Sequence, residues 1–338
     1  MTDRAGAAVA ALLLVLSGSL GACSSDSATL AGKRTPRADS ECLARGNIPK
    51  GVDARRPAVA IKVENDPAAR PLSGLEKADV VFEEVVEGGI TRFMAIYHCG
   101  ESPRVGPVRS ARWDDPKILL PFTKVLAFSG SNSIVGGELK RWDIQTLVEG
   151  IKGEAFYRIP PGSLSVHSVF AATELLRDLA IKGIRSPSPG LFPRGALPKD
   201  AKKAAHVEIN FAKDNTIEYR WQKGAWHRYE AGEPFMTKAG PQIAVPNLLI
   251  QEVKVDNSNK IRDIEGNPSP ELTLVGTGRA VLLRDGRALE GGWEIRKNGA
   301  PTLFQTKDGD VFKFADGPIW VELVPSAKGD VKGHFSIK

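Results

Sequence analysis

The chain has 338 residues, 42% hydrophobic and 25% charged, with a formal net charge of +6. That is a globular composition with room for two domains of ordinary size, and it excludes a disordered chain. The positive charge is modest and diffuse. No Arg/Lys-rich helix interleaved with aromatics appears, which argues against nucleic acid and leaves acidic wall or membrane phosphates as the natural partners.

Residues 5–22 form a short apolar run that ends in small residues, the pattern of a secretory signal rather than a spanning helix. The run stops at Leu20-Gly21-Ala22-Cys23, an ending that resembles the lipobox of bacterial lipoproteins. We therefore expect a lipoprotein signal peptide at 1–22 and a lipidated Cys23. The protein would then be extracytoplasmic, held on the cell membrane by acyl chains alone. Residues 23–54 read as a flexible tether, polar and Pro-containing over 24–40. Cys42 and Cys99 are left as an even pair in an oxidising compartment, candidates for a disulfide or two unrelated buried thiols.

A strand is expected over Pro57–Glu64, ending at the turn signal Asn65-Asp66-Pro67. Ala78–Val86 and Ile90–His98 are β-rich, with Gly88-Gly89 between them, the spacing of a tight hairpin. If those glycines are the two loop residues, Val85 faces Arg92 and Glu83 faces Met94. Glu83 and Arg92 then share one face as diagonal neighbours, and Glu84 points to the other. Both faces are largely apolar, so the sheet is expected to be covered on both sides. Asp114-Asp115-Pro116 opens a short helix, with Asp115 as the cap. Lys124–Ser129 is another strand, a short helix lies near Ile134–Arg141, and residues 168–181 carry the period of an amphipathic helix.

Residues 184–205 are rich in Pro, Gly and Lys, and we place a linker at 191–205. From 206 onward every pattern is β, with turn signals such as Lys223-Gly224 and Asp285-Gly286. The expected organisation is an α+β or α/β ligand-binding domain with a central mixed sheet over 55–190, then a smaller all-β barrel or sandwich over 206–338.

Several blocks carry a resemblance. Val63-Glu64-Asn65, Arg70-Pro71-x-Ser73-Gly74-Leu75, Glu87-Gly88-Gly89-Ile90-Thr91-Arg92-Phe93 and Val105-Gly106-Pro107-Val108-Arg109-Ser110-Ala111-Arg112 look like the YerB-like family of bacterial lipoproteins. In the second half Gly276-x-Gly278-Arg279-Ala280, Gly292-Trp293 and Trp320-Val321-Glu322-Leu323-Val324-Pro325 are similar in kind and order. The resemblance implies an N-terminal domain of unknown function followed by a smaller β domain, and it brings no established reaction. After Arg158, where the family has a compact Arg-to-His-Asn loop, this chain reads PPGSLSVHSVF.

Arg104, Arg109 and Arg112 flank a glycine and a proline. Guanidinium groups on a rigid loop grip carboxylate or phosphate in two-pronged fashion. Arg70 and Arg92 are expected in the same region, with Asn65 and Ser110 beside them. The alternative is a structural network with Glu64, Glu83, Glu84 or Glu87. Glu83 or Glu84 in an apolar sheet could carry a raised pKa and serve as a general acid in glycan cleavage, though not as a pair. His167, in a loop after Pro160-Pro161-Gly162, is the one histidine worth testing as a catalytic candidate, the alternative being a loop histidine without a role. Metal-ligand spacings, phosphate loops and a complete nucleophile elbow are absent from the sequence, so no metal or cofactor is expected. Trp221, Trp226, Trp293 and Trp320 are core or sugar-contact residues. The leading expectation is a lipid-anchored protein that binds peptidoglycan or another anionic wall polymer. The competing one is a wall-glycan-processing enzyme.

Overall fold

A computed structural model describes residues 41–150, 154–199, 201–213 and 215–338. The expected signal peptide and Cys23 lie outside them. The first three strands, β1 (Val59–Glu64), β2 (Val80–Val85) and β3 (Thr91–Tyr97), are buried along their whole length. Strands covered on both faces need such near-continuous apolar runs. β3 pairs antiparallel with both β1 and β2. The chain continues through α1 (Asp115–Leu119), β4 (Val125–Phe128), α2 (Ser133–Arg141) and β5 (Gln145–Val148). β4 and β5 extend the sheet from β1 in parallel. β6 (Phe156–Arg158) and β7 (Val169–Ala171) form a small ladder that leads into α3 (Thr173–Asp178).

The same sheet continues into the C-terminal half. Ile319–Pro325 pairs in parallel with β2 on one side and with Asn247–Arg262 on the other. Beyond it lie Gly276–Arg284, Arg287–Ile295 and Leu303–Gln305. A second sheet, built from His206–Ala212, Asn215–Gln222, Ala225–Glu230 and His334–Ile337 with two short strands, packs its apolar side against one face of the first. Phe211, Tyr219 and Trp226 meet Phe93, Trp320 and Leu248 there. On the opposite face α1 and α2 bring Ile118, Leu119, Val135 and Leu139 onto Phe82, Met94 and Ile96.

The architecture is therefore mostly sheet, with a mixed central sheet as expected. The α-rich character expected of the N-terminal half is not what the residues form: α1, α2 and α3 have 5, 9 and 6 residues. The amphipathic period over 168–181 is a strand and then a helix, because Val169–Ala171 is taken up in pairing with β6 and with Val105. Tertiary pairing there outweighs a local helical period. The β-rich half is not a closed barrel, since its strands divide between the small sheet and the central one. Phe192, Ala201 and Ala204, in the segment read as a linker, are buried, and Lys202–Lys203 pairs with Arg287–Ile295. Cys42, Leu43 and Ala44, in the stretch read as tether, are also buried. Cys42 is bonded to Cys99 across 57 positions.

The hairpin differs from the expected register by one residue. Val85 faces Thr91, Glu84 faces Arg92 and Glu83 faces Phe93. The connection is not a two-glycine turn: Val86 N–H donates to the Ile90 carbonyl at 2.8 Å, and Gly88 and Gly89 both take positive φ inside a wider loop. Two apolar faces cannot pin a register by hydrophobic pattern.

Candidate functional site

The register slip rearranges the charges. At one end of the central sheet Glu84, Arg92 and Glu64 stand in a row across β2, β3 and β1, each opposite the next. Lys62 is two residues before Glu64 on the same face, because side chains alternate along a strand. These four are buried. The Lys62 ammonium pairs with Glu84 and, at 2.7 Å, with Asp115 of α1. Burial pushes the Glu84 carboxyl up to about 7, with Lys62 opposing and Asp115 adding to the shift.

Glu83 points to the other face and is fully buried. Its partner is not Arg92 but Arg228 of the small sheet, 2.5 Å away, with Thr91 and Asn65 also donating to it. Neither Glu83 nor Glu84 reaches solvent, so neither is placed to protonate a glycosidic oxygen.

The row lies at the carboxyl end of β1, which pairs in parallel with β4, the end at which sheets of this kind hold ligands. The loop 105–112 is strapped across those ends. Arg109 N–H donates to the Lys62 carbonyl at 2.9 Å, Ser129 N–H to the Arg109 carbonyl at 3.0 Å, and Ala111 N–H to the Gly130 carbonyl at 3.1 Å. The Ser110 hydroxyl donates to the Ser129 carbonyl at 3.1 Å. A second loop arrives from β6. The Arg158 guanidinium binds the Ser163 and Ser165 carbonyls and the Ser168 hydroxyl, and it pairs with Glu149 after β5 at 2.7 Å. That bracing seats His167, whose Nδ1 lies 2.9 Å from a Glu64 carboxylate oxygen. The same oxygen is 3.5 Å from Arg109 Nε. Burial raises the Glu64 carboxyl, with Arg109 and His167 opposing.

Arg112 pairs with Glu87 at 2.6 Å, and Glu87 also accepts from Ser269. Arg92 is the exception. It is 6% exposed, its one hydrogen bond goes to the Ser110 carbonyl at 3.2 Å, and its Nε has no partner. Among the described residues no carboxylate lies within ion-pairing distance of it. Burial and the neighbouring Arg112 pull it down to about 9, Arg109 adds to this, and Glu87 and Asp115 oppose it. It remains charged at neutral pH, a cation held beside two other cations.

Of the residues expected to bind, Arg92, Arg109, Arg112 and Ser110 come together. Arg104 lies apart, over the Phe170 ring at 5.9 Å. Arg70 pairs with Glu230 and donates to the Asn65 carbonyl at 2.7 Å. The Asn65 amide faces inward to Thr91 and Glu83. Trp226, Trp293 and Trp320 are core residues. Lys62 was missed, although a lysine inside Ala-Ile-Lys-Val is a signal of an interior charge. Arg158 and Glu149 carried no such signal.

Both halves of the chain match known proteins. Residues 46–185 match the N-terminal domain, and residues 207–321 the C-terminal domain, of a protein of unknown function (DUF3048). A Bacillus subtilis (strain 168) protein named "Putative lipoprotein YerB" is 30% identical over 290 residues, covering 81% of this chain and 82% of that protein. The chain belongs to the YerB-like family. A crystal structure of the YerB protein from Bacillus subtilis superposes with a TM-score of 0.72 at 25% identity, covering 86% of this chain and 98% of that one. The family boundary near residue 200 divides one continuous sheet, since Ile319–Pro325 pairs with β2.

Proposed function

We propose that this YerB-like protein is a lipid-anchored envelope protein that binds an anionic group, the carboxylate or phosphate oxygens of peptidoglycan or a wall polymer, at Arg92, Arg109, Arg112 and Ser110. The observation that carries the reading is Arg92. Burying a cation without a counter-charge is costly. Elsewhere the fold provides one: Lys62 has Glu84 and Asp115, and Arg228 has Glu83 and Glu322. Arg92 bonds a carbonyl and has Arg109 and Arg112 beside it, and among the described residues the carboxylates around it stay beyond ion-pairing distance. A bound anion would supply the missing partner, with the partly exposed Arg109 and Arg112 closing on it in two-pronged fashion. The lipid at Cys23 and the position outside the cell membrane rest on the sequence and on the relative's name. Cys42, where the described chain begins to pack, is bonded at the far end of β3 from Arg92.

Isothermal titration of the purified protein with sulfate, a stand-in for either oxyanion, tests the site. Wild type should bind with an affinity that falls as salt rises, and Arg109→Ala should weaken binding about tenfold. Equal affinity in the variant would remove the site.

A further inference from the structure

Glu64 is 2% exposed, yet one of its oxygens meets two side chains at once, the His167 imidazole and the Arg109 guanidinium. The other oxygen, Oε1, is buried without a partner. A carboxylate in this position does two things. It fixes the imidazole through Nδ1, as second partners fix histidines in working sites, and it leaves Nε2 available to another partner. It also competes with any incoming anion for Arg109. His167 is partly exposed, and among the described residues nothing bonds its Nε2.

We propose that His167 is the proton-dependent arm of the anion site: the protonated imidazole donates from Nε2 to the bound anion, while Glu64 holds the ring by Nδ1. The inference rests on the anion-site reading above and adds to it a ligand-contacting residue and a direction of control. The group that faces His167 directly is Glu64 on β1; Arg109 on the strapping loop and Asp66 just after β1 act on that same carboxylate, and the Arg158–Glu149 pair braces the loop that carries His167. Arg92 and Arg112 lie beyond Arg109. A ring that takes up a proton here adds a donor where an anion needs one. Protonation of Glu64 acts in the same direction, because it releases Arg109. Anion binding therefore strengthens as pH falls.

The geometry of the loop supports a standing role rather than a chance contact. Three acceptors on residues 163–168 converge on the Arg158 guanidinium. The loop is thus braced from behind, and His167 keeps its place without a ligand. Ordering a side chain before binding lowers the entropy lost when the ligand arrives.

The test is sulfate titration of the purified protein at fixed ionic strength between pH 5.5 and pH 8. Sulfate stays a dianion throughout, so any slope belongs to the protein. Wild type should bind about three- to tenfold more tightly at the low end, the worth of one added charge-assisted hydrogen bond at a partly exposed site. His167→Gln keeps a donor for Glu64 but cannot titrate, and its affinity should vary far less with pH. Glu64→Gln should bind more tightly than wild type at pH 8. Thermal unfolding of both variants close to wild type shows that the comparison is between folded proteins. An equal slope in wild type and His167→Gln overturns the proposal and leaves the anion site standing. No sulfate binding at any pH removes both.

Discussion

Glu83 and Glu322 lie side by side on adjacent parallel strands, the first inside the N-terminal family match and the second just past the end of the C-terminal one, and Arg228 of the small sheet reaches into the space between them. All three are fully buried. Tyr219 donates to Glu322 at 2.5 Å, and burial together with the Glu83 charge holds the Glu322 carboxyl well above its usual range. One guanidinium thus ties the small sheet to the seam where the two domains share a ladder.

Arg228→Ala should lower stability by about 3–5 kcal/mol, because it leaves two buried carboxyl groups without their counter-charge. Chemical denaturation measures the loss. Glu83→Gln with Arg228→Met should cost less than the sum of the single changes, since residues in one network are not additive. Additive losses would mean that the ion pair does not couple the two sheets.

Stability should also depend on pH through the buried acids at the other face. Burial raises Glu84 to about 7 and Asp114 to about 6. A carboxyl whose folded pKa lies above its unfolded value binds its proton more tightly in the native state. Its contribution is fully present below about pH 4 and is lost as pH rises through the folded pKa. Unfolding free energy from these two groups should therefore decline between about pH 4 and pH 7. Glu84→Gln should flatten the decline, as read from denaturation midpoints across that range. An unchanged slope would place the dependence elsewhere.

The disulfide closes a loop of 57 positions between Cys42 and Cys99. Cys99→Ser, or reduction, should cost about 2–5 kcal/mol, mostly by releasing the unfolded chain. His98 should keep its place, since its ring is held between the Leu43 N–H and the Ala54 carbonyl. A denaturation midpoint indifferent to reductant would contradict this.

The lipid anchor has a separate check. Cys23→Ala should move the protein from the membrane fraction to the soluble one. A variant that stays with membranes would show that something other than an acyl chain holds it.

The sequence makes some of this legible and hides the rest for physical reasons. Strand runs such as Val59–Glu64 are readable because burial on both faces demands unbroken apolar character. That same character erases the alternation that would fix register, so the expected pairing of Glu83 with Met94, and diagonally with Arg92, is off by one residue. The helix expected over 168–181 failed because Val105 and β6 offer backbone partners that no local period reveals. The arginine loop was visible as a local cluster. What brings its Arg109 and Arg112 to Arg92 and leaves Arg104 apart is the crossing of that loop over β1 and β4, a long-range contact. Arg228 lies 145 positions from Glu83, and nothing near either residue announces the other. His167 stands out in the sequence only for its loop, and its tie to Glu64, 103 positions away, is made by the fold.

The central claim is that Arg92 and its neighbours hold an anion of the envelope. Co-sedimentation with isolated cell walls, before and after removal of their anionic polymers, tests it most directly. Wild type should sediment in low salt, and Arg109→Ala with Arg112→Ala should remain in solution while unfolding at a similar denaturant concentration. Equal sedimentation of the folded double variant and wild type would contradict the account.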